Sequence, residues 1–127
     1  RDEYSETAGF SIASAEKKAL FIPDIDKWDR WYKSINEVAR EYDHLLLDGT
    51  FYGEDELPGR NMEEIPHPFI VETSDLLRSL TEDEKMKIQF IHLNHTNPIL
   101  DEGSKEYQEL LLSGYRVAKR GNIIKLY

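Results

Sequence analysis

His44-Leu45-Leu46-Leu47-Asp48-Gly49-Thr50, residues 44–50, is the stretch whose reading decides the fold. Three consecutive leucines show no alternation of apolar and polar positions, as a strand covered on both faces requires. The run stops at a carboxylate followed by glycine, where the backbone can leave a sheet sharply. Two further runs share this build: Ala19-Leu20-Phe21-Ile22 ends at Pro23-Asp24, and Lys87-Ile88-Gln89-Phe90-Ile91 ends at His92. Each of these three short strands closes on a side chain that can titrate or bind a cation.

The segments between the runs are helical in pattern. From Asp26 to Tyr42 the apolar residues Trp28, Trp31, Tyr32, Ile35, Val38, Ala39 and Tyr42 recur three and four apart, which predicts a helix with one buried face. Pro68 suits the first turn of a helix, and Phe69, Ile70, Thr73, Leu76, Leu77 and Leu80 follow as its stripe. Thr81-Glu82-Asp83-Glu84 has capping-box spacing, and Ser104 opens a helix through Leu112 that Ser113-Gly114 stops. Thr7 to Ala13 predicts a strand joined by a hairpin to the first apolar run. Arg116 to Ala118 and Ile123 to Tyr127 predict a closing hairpin around Lys119-Arg120-Gly121-Asn122. Residues 51–66, with two glycines, two prolines and five acids, form a long loop of the sort that often carries function.

Strands separated by helices pair mostly in parallel, so the chain reads as one α/β unit. In such sheets ligands bind at the carboxyl ends of the strands. Asp24, Asp48 and His92 occupy those ends, and the adjoining loops add Asp26, His67 and His95. Imidazole with carboxylate suits zinc, iron or manganese. Each residue also has a plainer reading: Asp26 as a helix cap, Asp48 as a turn residue, His67 as a loop residue before a helix, His92 as a hydrogen-bonded core histidine. His44 starts its strand at the opposite end and reads as structural. No His-Glu-x-x-His or His-x-His pair makes a metal motif by spacing alone, and the acids Glu54 to Glu56, Glu63 and Glu64 read as a solvated loop face.

Composition bounds the function. The chain has 127 residues and a formal net charge of −9, from 16 Lys and Arg against 25 Asp and Glu. That is one domain with enough apolar content to fold. The acidic balance argues against nucleic acid and anionic membrane surfaces as partners. With no cysteine there is no disulfide, thiolate nucleophile or Cys-ligated metal. No apolar run nears the roughly 20 residues of a membrane span. The opening at Arg1, strand-like and without a signal-peptide pattern, reads as the start of a fragment whose upstream part lies outside the chain. A cytoplasmic location is favoured, with export left open.

Phe90-Ile91-His92-Leu93-Asn94-His95-Thr96-Asn97-Pro98, together with Leu47-Asp48-Gly49-Thr50-Phe51-Tyr52, resembles the coenzyme PQQ synthesis protein B family of the metallo-β-lactamase-fold superfamily. The resemblance extends over Arg1 to Phe10, Met62 to His67 and the segment after Gly121. The order of motifs is also similar to the ribonuclease Z branch: a strand ending in Asp, an acid-x-Thr-Phe block, a His before a helix, a strand ending in His.

This resemblance implies that residues 1–127 are the C-terminal half of an αββα sandwich, a mixed sheet with helices on its outer face. An N-terminal half with a His-x-His-x-Asp-His loop would supply most ligands and cover the inner face of the sheet. By position, Asp24 would bridge two metals, His92 would be a histidine ligand, His67 would assist catalysis, and Asp48 would orient His67. His95 stands where these relatives more often carry Asn. The implied activity is a zinc-dependent hydrolase, with iron or manganese as other metals, acting on a small molecule or peptide. The alternatives are an iron-dependent hydroxylase in PQQ biosynthesis and a non-catalytic binding or scaffold domain. A homo-oligomer is a further expected partner arrangement.

Overall fold

The computed structural model describes residues 7–127; the Arg1 to Glu6 part of the family resemblance lies outside the described residues. Five strands form one mixed sheet in chain order: β1 (Phe10–Ala13), β2 (Lys18–Ile22), β3 (His44–Asp48), β4 (Ile88–Ile91) and β5 (Arg116–Val117). β1 and β2 form the expected hairpin, and β2 to β5 run parallel. The helices are α1 (Ile35–Glu41), α2 (Ile70–Leu76), α3 (Glu82–Met86) and α4 (Lys105–Leu112).

When strand order equals chain order, right-handed crossovers all fall on one face of the sheet. The core has that form. Leu20, Ile22, Leu45, Leu47, Ile88 and Phe90 from the strands pack with Ile35, Val38, Ile70, Leu77 and Leu110 from the helical side. The register sets Phe10, Phe21, Leu46, Gln89 and Arg116 side by side on the other face. There Phe10 is 58% and Ile12 54% exposed, while Leu45 and Leu47 are fully buried. Thus the apolar runs have two apolar faces, and among the described residues the helices cover one.

Two elements differ from the sequence reading. The helix expected from Asp26 to Tyr42 is only α1, preceded by a 3-10 turn at Trp28–Arg30 that ends at Trp31 in extended backbone. Trp28 donates through Nε1 to Thr73 Oγ1 at 2.8 Å, so this segment is tied to α2 and its aromatic spacing serves a loop. The closing hairpin is absent. The turn itself forms, with Asn122 N–H donating to the Lys119 carbonyl at 3.0 Å. However, β5 pairs with β4, and residues 123–127 form no strand. The Ser14 hydroxyl donates to the Leu126 carbonyl, drawing the tail towards the β1–β2 turn.

Candidate metal centre

Because β2, β3 and β4 are parallel, their carboxyl ends share one rim. At its centre is Asp48, the last residue of β3 and fully buried. Its Oδ1 accepts from the Thr50 N–H at 2.8 Å and the Thr50 hydroxyl at 2.6 Å. Its Oδ2 accepts from the Ile25 N–H at 3.1 Å and is 2.8 Å from His67 Nδ1. A carboxylate has about four lone-pair sites, and here four donors take them. This saturation is how a buried charge is tolerated.

Gly49 lets the turn after β3 lie directly against β4. A Cβ there would stand 2.9 Å from Phe90 Cβ and 3.0 Å from the Ile91 carbonyl. The Gly49 N–H donates to that carbonyl at 2.8 Å. From the other side, buried Asn97 donates through Nδ2 to the Gly49 carbonyl at 2.8 Å, and the Asn94 N–H donates to the Thr50 carbonyl at 3.0 Å. The loop after β4 is therefore latched onto the Asp48 turn.

His92 begins that loop with φ at 61°, the one non-glycine residue with positive φ among those described. Left-handed backbone costs a non-glycine residue about 1 kcal/mol or more, and such residues cluster at functional sites. Here it follows directly on β4, and the ring's Nδ1 lies 3.0 Å from Thr50 Oγ1. The His67 and His92 rings are 6.3 Å apart between centroids.

At the end of β2, Asp24 Oδ1 lies 3.5 Å from His67 Nδ1. Asp24, Asp48 and His67 each present a ligand atom within 4.8 Å of the others. Their approach is enforced from the loop. Lys27 Nζ meets both carboxylate oxygens of Glu72 at 2.9 Å and stands 3.7 Å over the Phe69 ring. Glu72 in turn accepts from the Phe69 N–H at 2.9 Å, fixing the entry to α2 just after His67.

His92, expected to share a ligand sphere with Asp24, lies outside this group, and so do the remaining candidates. Asp26 accepts from the Lys27 N–H at 2.7 Å and from the Arg30 guanidinium at 2.9 Å. Burial pushes its carboxyl up, but these partners together hold it below the usual value. His95 is exposed in the β4 loop, and His44 lies at the opposite end of β3. Sequence reading missed two organising residues. Thr50 and Asn97 stand in the sequence only as members of motifs with no role of their own, although an Asn before Pro98 is a turn-capping signal; its Oδ1 accepts from the Ile99 N–H at 3.1 Å.

No family model matches the sequence. Coenzyme PQQ synthesis protein B of Acinetobacter baumannii (strain ACICU) is 30% identical over 116 residues, covering 87% of this chain and 37% of that protein. The protein of the same name from Pseudomonas syringae pv. tomato is 34% identical over 117 residues, covering 86% and 37%. That of Gluconobacter oxydans is 30% identical over 126 residues, covering 95% and 40%. The crystal structure of Zn(2+)-bound PqqB from Methylobacterium extorquens matches with a TM-score of 0.68 at 24% identity, over 87% of this chain and 40% of that one. This chain, which spans about two fifths of the length of these relatives, is thus PqqB-like in sequence and shares the fold of the matched part of PqqB, a metallo-β-lactamase-fold protein.

Proposed function

We propose that this chain forms part of the divalent-metal site of a PqqB-like metallo-hydrolase that serves PQQ biosynthesis. The observation that carries this reading is the convergence of Asp24 with the hydrogen-bonded Asp48–His67 pair within 4.8 Å at the carboxyl ends of parallel strands, which sets one acid to hold a cation beside a histidine oriented by the other. Zinc is the preferred metal: imidazole and carboxylate are donors it accepts, and the neighbour of the same fold was crystallised with Zn(2+). Asp24 and His92 are the proposed ligands. Asp48, its lone pairs occupied by hydrogen bonds, orients His67 instead of binding metal. When bound, the cation activates water and polarises an electrophilic centre of the substrate. His67, whose Nδ1 faces Asp48, would deliver a proton or hold an oxyanion through Nε2.

The chain is proposed to be the C-terminal half of the domain, with an upstream half supplying further ligands. The exposed apolar face bearing Phe10 and Ile12 supports this, as does the share of the relatives' length that the chain spans. The test is zinc content, by atomic absorption, of the full chain and of Asp24→Ala and His92→Ala. Near-stoichiometric zinc that both substitutions strip is expected; retention by both variants would overturn the ligand assignment. Dioxygen uptake on iron loading with a tyrosine-containing peptide, without zinc-supported hydrolysis, would replace the hydrolase reading with the hydroxylase.

A further inference from the structure

We propose that Thr50 is a positioning residue that sets which nitrogen of His92 carries the proton. Thr50 Oγ1 lies 2.6 Å from Asp48 Oδ1, 3.0 Å from His92 Nδ1 and 3.3 Å from His67 Nδ1, whose own hydrogen goes to the nearer Asp48 Oδ2 at 2.8 Å. A hydroxyl has one hydrogen, and a carboxylate oxygen flanked by donors accepts it. The Thr50 hydrogen therefore points at Asp48, and the same oxygen accepts from His92 Nδ1–H. The opposite arrangement would face two lone pairs, on Oγ1 and Oδ1, across 2.6 Å.

The consequence is a relay running from His92 Nδ1–H to Thr50 Oγ1–H to Asp48. It leaves His92 Nε2 with its lone pair available to an electrophile. Asp48 thus orients both histidines: His67 directly through Oδ2 at 2.8 Å, and His92 through Thr50 on Oδ1. The left-handed backbone at His92, φ 61°, holds the ring at the start of the loop latched to this turn. That the freed Nε2 meets a metal rests on the function proposed above; the tautomer itself does not.

The test uses the full chain, metal-free, with 15N-labelled histidine, as wild type, Thr50→Val and Thr50→Ser. In wild type and Thr50→Ser, the His92 ring should show the Nδ1–H pattern of nitrogen shifts and couplings. In Thr50→Val that pattern should give way to Nε2–H or a mixture. Zinc affinity by chelator competition should then fall about 10- to 100-fold in Thr50→Val and recover in Thr50→Ser. An Nε2–H ring in the wild type, or an unchanged Nδ1–H ring in Thr50→Val, overturns the role of Thr50. A tautomer that responds as expected while zinc affinity stays level upholds Thr50 and overturns the assignment of His92 as a ligand.

Discussion

Asp24 and Asp48 follow or close neighbouring parallel strands and look equivalent along the chain, but their surroundings differ. The Asp48 side chain is fully enclosed and accepts from two backbone N–H groups, a hydroxyl and an imidazole. The Asp24 side chain is 32% exposed at the edge of the rim, with His67 Nδ1 at 3.5 Å. One carboxylate organises the turn around it; the other, partly exposed, is the one proposed above as a metal ligand. Burial and donor count separate the two roles, whereas residue type and position at a strand end do not.

The sharpest way to break this comparison is Asp48→Ala. It would leave four donors facing a cavity, and a loss of about 3–5 kcal/mol is expected from denaturant unfolding of the full chain. A loss like that of an exposed acid would remove Asp48 from its organising role. Gly49→Ala should cost about 1–3 kcal/mol in the same measurement, because the new methyl meets Phe90 and the Ile91 carbonyl. Thr73→Val should cost about 1–2 kcal/mol, since the buried Trp28 N–H loses its acceptor and the loop carrying Asp24 loosens from α2.

Asp26→Asn should have a smaller effect, about 0.5–1 kcal/mol, and it carries a pH signature. The folded carboxyl is held below its ordinary 3.8, so its contribution is complete above that value and disappears as acidification passes through the lowered folded value. Unfolding curves of wild type and variant should differ at neutral pH and converge in acid. Asp24→Asn should change stability least, by about 0.5 kcal/mol or less, while stripping zinc from the full chain. A stability loss matching that of Asp48→Ala would erase the contrast between the two acids.

Much of the architecture was legible because it is local. The runs around Leu20, Leu46 and Phe90, each closed by Asp or His, specify parallel strands whose carboxyl ends share one rim. The hairpin from β1 into β2 follows from a polar turn between strand-forming residues. The Trp28–Trp31–Tyr32 spacing misled because the aromatic contacts go to α2 and to one another rather than along a helix; Trp28 and Trp31 stack at 5.6 Å between ring centroids. Residues 123–127 misled because a good turn at Gly121 does not decide which strand β5 adopts as partner.

What the sequence determined by itself is therefore the fold class and the set of side chains at the rim, since periodicity and strand ends are properties of consecutive residues. Which of those side chains meet was decided only by tertiary structure. The loops after β2, β3 and β4 come from residues far apart in the chain. The Lys27–Glu72 pair, the Asn97 latch and the close approach allowed by Gly49 bring them together. Hydrogen-bond saturation at Asp48 emerges from that packing, because its donors come from Ile25, Thr50 and His67.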